Sequence, residues 1–133
     1  MHQGKYVFAQ VMAWITQQEF NHCVAQYGGM HRVRRFSCWE QFLALAFGQL
    51  TYRESLRDVV VCLDAHRERL YHLGIQSPIV LSTIARANER RDRHIWAELA
   101  QMLIARARPL YADDSSFTLD MDGAVYLVDA TTI

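Results

Sequence analysis

Lysine is nearly absent from this chain. Of 14 basic residues in 133, only Lys5 is lysine and the other 13 are arginine. The planar fork of arginine suits phosphates and guanine edges, so the preference fits a nucleic-acid contact; a GC-rich coding bias produces it equally well. An excess of either charge is also lacking. Fourteen acidic residues balance the basic ones, and the formal net charge is zero, which excludes binding of nucleic acid through the field of the whole chain. Proline occurs only twice, and the sequence is 51% hydrophobic and 21% charged, a composition that can bury a core and is unlike a disordered segment. The three cysteines, Cys23, Cys38 and Cys62, are too scattered for a disulfide framework, and no CxxC or His/Cys pair has zinc-ligand spacing. Free thiols and a cytoplasmic location are expected. The six histidines, at 2, 22, 31, 66, 72 and 94, form no HxxxH or HExxH pattern. No apolar run is long enough to span a bilayer and no signal peptide is recognisable, so no membrane partner is expected.

What is present is helical periodicity. Phe8, Val11, Met12 and Ile15 form one stripe, and Phe20, Cys23, Val24 and Tyr27 form a second after a break near Thr16. Gly28-Gly29 stops that helix, and His31 to Arg35 is a short basic connector. Ser37 with Glu40 predicts a capping box that opens the central core helix, with Trp39, Phe42, Leu43, Ala46, Phe47 and Leu50 facing inward. Thr51 with Glu54 repeats the box after a connector of about one residue, and Leu56, Val59, Val60 and Leu63 form the next stripe. A short helix over Arg67 to Leu73 and a turn over Gly74 to Pro78 follow. Ser82 is the expected N-cap of a helix through Glu89, and Asp92 that of a last helix buried through Ile95, Leu99, Met102 and Leu103, which Pro109 should end or kink. Tyr6, Trp14, Trp39 and Trp96 lie on or near the stripes and are expected in the core.

The composition turns from helical to β near residue 112. The expected fold is therefore mainly α: a helical bundle over residues 1–112, then a short β segment over 113–133. Asp113 to Ser116 is a polar linker, Phe117 to Met121 a first strand, Asp122-Gly123 a hairpin turn, and Val125 to Val128 a buried strand running into Asp129. A carboxylate at the end of a buried strand calls for partners, whether acids sharing a metal, a base, or backbone amides. A lone core strand would leave its own backbone groups unpaired. The expectation is that the chain is the front part of something longer.

Two stretches carry candidate binding residues. The helix from Ser82 follows a turn and an earlier helix, an order like a helix-turn-helix but with a longer connection. Its Thr83, Arg86, Asn88, Arg90, Arg91 and Arg93 are types that contact phosphates and base edges, and Arg86 and Arg90 share a face. A solvated face with Glu89–Arg93 pairing explains the same residues. Arg32, Arg34 and Arg35 could clamp a phosphate backbone from the connector or stand simply in water.

Tyr27-Gly28-Gly29, Arg34 through Trp39, and the run Gln49-Leu50-Thr51-Tyr52-Arg53-Glu54-Ser55-Leu56-Arg57-Asp58 resemble the N-terminal domain of bacterial insertion-sequence transposases, as do Ser82-Thr83, Ala87-Asn88-Glu89, Arg91-Asp92, Leu110-Tyr111 and Val128 through Ile133. The group is the DDE type founded on insertion sequence four. The resemblance implies an accessory helical domain ahead of an RNase H-like catalytic domain. Val125 to Val128 would be the first strand of that domain and Asp129 its first catalytic, metal-binding acid. In the family three such acids hold two magnesium ions that activate a nucleophile against a phosphodiester. The second aspartate and the glutamate are not in this sequence, so this fragment is not expected to hold Mg2+ tightly or to cut DNA alone. Implied partners are the terminal inverted repeats of its element and further copies of itself or full-length transposase. The competing readings are an interaction module that pairs with intact transposase and inhibits it, and an unrelated helix-turn-helix regulator.

Overall fold

A computed structural model of the chain describes residues 7–29, 33 and 35–111. The chain divides into two units, Met1–Gln101 and Met102–Ile133. Among the described residues the regular structure is helical: α1 (Val7–Met12), α2 (Gln17–Gln26), α3 (Cys38–Leu50), α4 (Leu56–Ala65), α5 (Arg67–Leu70), a 3-10 turn (Tyr71–Leu73), α6 (Leu81–Arg90) and α7 (His94–Tyr111). The mainly α expectation is met there. The expected strands, the Asp122-Gly123 turn and Asp129 lie outside the described residues.

Local chemistry explains where the helices start. Thr16 and Glu19 form a reciprocal capping box on α2, and Ser37 and Glu40 form one on α3. At Ser37 the Glu40 carboxylate accepts from the Ser37 backbone N–H at 2.8 Å while the Ser37 hydroxyl accepts from the Glu40 N–H at 3.0 Å. Four rings of three helices meet in the first unit. Phe20 of α2, fully buried, lies 5.1 Å from Phe42 and 5.5 Å from Trp39 of α3, and 5.9 Å from Trp96 of α7. Aromatic pairs at such separations add to plain area burial. The Trp39 indole N–H donates to the Leu73 carbonyl at 3.0 Å, which ties the 3-10 turn to α3. Helix α3 packs on α2 and α4, and α4 on α6. Gly48 lets α3 and α4 approach closely, since a Cβ there would come within 2.8 Å of the Val59 methyl Cγ2. Phe8 of α1 meets Phe47 of α3 edge-on at 5.6 Å. All three cysteines are free thiols, as expected. No helix of the described residues is long and apolar enough to cross a membrane.

Several expectations are corrected. Thr51 closes α3 and does not open α4: its hydroxyl donates to the Phe47 carbonyl at 2.6 Å. The helix then ends in a Schellman-type turn, with Tyr52 N–H on Gln49 O and Arg53 N–H on Gly48 O, and places Tyr52 at φ +54°. The true cap of α4 is Ser55, whose side chain accepts from the Asp58 N–H at 3.2 Å. The α3–α4 connector thus spans residues 51–55, not one residue. Helix α6 begins at Leu81 behind Val80, which supplies no side-chain cap, so Ser82 is inside the helix. Buried Ile79 and Ile84 occupy the two positions that a hydrophobic staple uses at such an uncapped start. Trp14, 68% exposed, lies past the end of α1, and Leu50, 50% exposed, is the last residue of α3. Pro109 sits inside α7, which runs on to Tyr111; so close to the end of a helix, proline removes a single hydrogen bond. Helices α4 and α6 pack together, and the connection between them is longer than that of a helix-turn-helix, as expected: residues 66–80, including α5 and the 3-10 turn, separate them.

Candidate nucleic-acid interface

The turn after α2 shapes one side of a cleft in the first unit. Gly28 takes φ +65° at the helix C-terminus, with its N–H on Ala25 O and the Gly29 N–H on Val24 O at 3.0 Å. Gly29 is tightly enclosed: a Cβ there would stand 2.7 Å from Ile95 Cδ1, 2.8 Å from Val24 Cγ1 and 3.3 Å from the Cys38 sulfur. The ends of α2, α3 and α7 therefore converge on a residue that must lack a side chain. Cys38 donates its S–H to the Gly29 carbonyl at 3.4 Å, and burial pushes its thiol pKa up, the opposite of a reactive cysteine.

Helix α6 supplies the other residues. Thr83, Arg86, Ala87 and Arg90 follow the spacing of one helix face and line the same cleft as Tyr27, Gly28 and Gly29. Val33 and Phe36, from the basic connector and its end, complete the lining with Arg91 and Asp92. The volume is about 460 Å3 and the cleft is open to solvent. Two segments singled out separately in the sequence, the connector and α6, thus border one space.

The candidate residues are not alike within it. Arg86 and Arg90 are exposed and Thr83 is half-buried. Arg91 is turned inward because it is the C-cap of α6, with extended backbone at φ −77°, ψ 142°, and so leaves the face that Arg86 and Arg90 share. Its guanidinium donates to the Ser37 carbonyl at 3.0 Å, to Gln41 Oε1 at 2.6 Å and to the Phe36 carbonyl, and lies 5.3 Å over the Phe36 ring. Buried Gln41 donates in turn to Asn88 Oδ1. Arg91 and the Asn88 oxygen accordingly hold the cleft together from within, and the outward set is smaller than the residue types suggested. Arg35 and Arg93 are exposed. Arg32, Arg34 and Asp129 lie outside the described residues.

Asp92 caps the first turn of α7, accepting from the His94 backbone N–H at 2.9 Å and pairing with His94 Nδ1 at 2.7 Å. That backbone hydrogen bond, then the ring, hold its carboxyl below the usual carboxylate range. The His94 ring stacks on Tyr27 at 5.6 Å and 22°. Helical periodicity marks Tyr27 and the two glycines as a helix end, and the resemblance includes them; their part in a cleft had no signal within one helical period. No group of three or more His, Cys, Asp or Glu among the described residues could hold a metal ion.

A family model described as "Domain of unknown function (DUF4372)" matches residues 3–76. The match takes in α1 through the 3-10 turn and stops before α6. No curated protein and no solved structure matches the chain significantly. Domains of this family are known at the N-terminus of transposase-like proteins. The matched segment exceeds half of the 133 residues, and the chain belongs to the DUF4372 family.

Proposed function

We propose that this chain is the N-terminal part of a DDE-type transposase of the insertion-sequence-four group and that it grips DNA through the cleft between the α2 turn and α6. The observation that carries the reading is the convergence of the basic connector, through Val33 and Phe36, with Arg86 and Arg90 of α6 on a single cleft. Exposed arginines four apart on one helix face match the spacing of phosphate contacts along a duplex, and a half-buried threonine hydroxyl beside them adds a neutral donor. The Arg91 fork fixes the chain at Phe36 and Ser37, directly after Arg35. On the same reading Asp129 is the first of three acids that hold Mg2+ in the longer enzyme, where the ions would supply the activated oxygen nucleophile.

Titration of the purified chain against duplex DNA carrying a terminal inverted repeat, followed by fluorescence anisotropy, tests this. Arg86→Ala and Arg90→Ala should each weaken binding and flatten the slope of log K against log salt by about one. Binding that ignores both substitutions would remove the cleft from the reading. Nicking of the same DNA by the chain with magnesium, lost in Asp129→Ala, would mean that these residues alone complete a catalytic centre.

A further inference from the structure

The cleft lining asks for more than a phosphate. A duplex backbone offers anionic oxygens on a convex surface and keeps its bases stacked away. Here, by contrast, the lining runs from buried Phe36 through Val33, Ala87 and the side-chain-free Gly28 and Gly29 to exposed Arg86 and Arg90. Nothing lies within 4 Å of where a Gly28 Cβ would be, so a flat group can approach that backbone. The Tyr27 ring brings a planar wall that already stacks with one ring, His94. Asp92, an acceptor, lines the same cleft as the two arginines, which suits a ligand that is anionic at one end and carries an amino donor at the other. Nucleotides with adenine, cytosine or guanine combine a flat apolar ring, an exocyclic amino group and a phosphate. A volume of about 460 Å3 lies within the range of sites that take small ligands, roughly 300–1,000 Å3.

We infer that the cleft takes one unpaired nucleotide, its base against Tyr27, Gly28 and Val33 and its phosphate on Arg86 and Arg90, as at a frayed or single-stranded extension of a DNA end. This rests on the DNA-binding reading above and narrows it. Stacking is indifferent to sequence, because every base has a π-face, while Asp92 favours bases that present an amino group.

Three labelled DNAs separate the two claims: a blunt duplex, the same duplex with a three-nucleotide unpaired extension, and that extension made abasic. The full extension should tighten binding of the whole chain about tenfold over the blunt end, within the range that base stacking supplies. The abasic extension, which keeps the phosphates, should return to the blunt value. Ala87→Leu narrows the cleft without changing charge; it should abolish the tenfold difference between the full and abasic extensions, with a circular-dichroism melt confirming the fold. Equal affinity for the abasic and full extensions would overturn the nucleotide assignment while leaving the duplex grip standing. Failure to bind any of the three DNAs would remove both.

Discussion

Arg91 shows how one side chain can line a cleft while its hydrogen bonds are spent on the chain itself. Its guanidinium bonds to the Phe36 and Ser37 carbonyls and to Gln41 Oε1, and burial lowers its pKa, though a guanidinium stays charged at neutral pH. A hydrogen bond from a charged donor contributes about 1.5–3 kcal/mol, and partial exposure to solvent reduces what the set of three adds up to. Arg91→Ala should therefore destabilise the chain by about 2–3 kcal/mol in urea unfolding, and a loss under about 0.5 kcal/mol would show the fork to be idle. Tyr52 makes the opposite prediction. It is 91% exposed at φ +54°, where a non-glycine residue is strained by about 1–2 kcal/mol. Tyr52→Gly loses no packing and relieves that strain against a larger unfolded-state entropy, so the net effect is a gain of up to about 1 kcal/mol, read as a raised melting temperature. Asp92 carries a pH signature. Its folded pKa is depressed by the His94 contacts, so the folded state binds its proton less readily than the unfolded chain does. The stabilisation is present above the unfolded value of about 3.9 and fades as pH falls through the lower folded one. Asp92→Asn should lower the melting temperature at pH 6 and converge with the parent as the medium is acidified below about pH 4; a difference that persists at the lowest pH would contradict the cap.

At the level of helices, what could be read from the sequence and what could not divide by range. The stripe Trp39, Leu43, Phe47 and the Ser37–Glu40 box are properties of one turn or two, and both appear as expected. Boundaries failed where two short-range patterns overlapped. Thr51-x-x-Glu54 and Ser55-x-x-Asp58 each look like a cap, and only the requirement to close α3 through Gln49 and Gly48 decides for Ser55. The cleft was not legible because its parts lie about fifty residues apart, at 27–36 and 83–92, and helical spacing says nothing of contacts at that separation. Arg91 was grouped with Arg86 and Arg90 by residue type, whereas its extended backbone takes it off their face. Close approach of helices is likewise invisible until neighbours are known, and it gives a test. Gly48→Ala would push a methyl to 2.8 Å from Val59 Cγ2 in the α3–α4 contact. Val59 is buried and cannot swing into solvent, so overpacking should cost about 1–3 kcal/mol, despite alanine being the better helix former. Recovery in the double variant Gly48→Ala with Val59→Ala, relative to the sum of the single changes, would locate the strain in that contact.

For the molecule as a whole, electrostatics sets how the proposed DNA binding should behave. With 14 basic and 14 acidic residues the net charge is zero, so long-range attraction is weak and only a local cluster can displace counterions. On the proposed reading, Arg86 and Arg90 in the cleft, with exposed Arg35 nearby in sequence to Phe36, would make two or three phosphate contacts. At a slope of about −0.9 per contact, affinity for duplex DNA should fall about ten- to fortyfold between 50 and 200 mM salt, far less than for a protein making six or more contacts. Replacing Arg86 and Arg90 with glutamate exchanges two positive for two negative charges within one helix face. Binding should then become undetectable at 200 mM salt, while the helical circular-dichroism signal and the melting temperature stay near those of the parent, because neither side chain is buried. A parent slope steeper than about −5 would mean that many more basic groups meet the DNA than this cleft provides, and the contact would have to be sought outside α6.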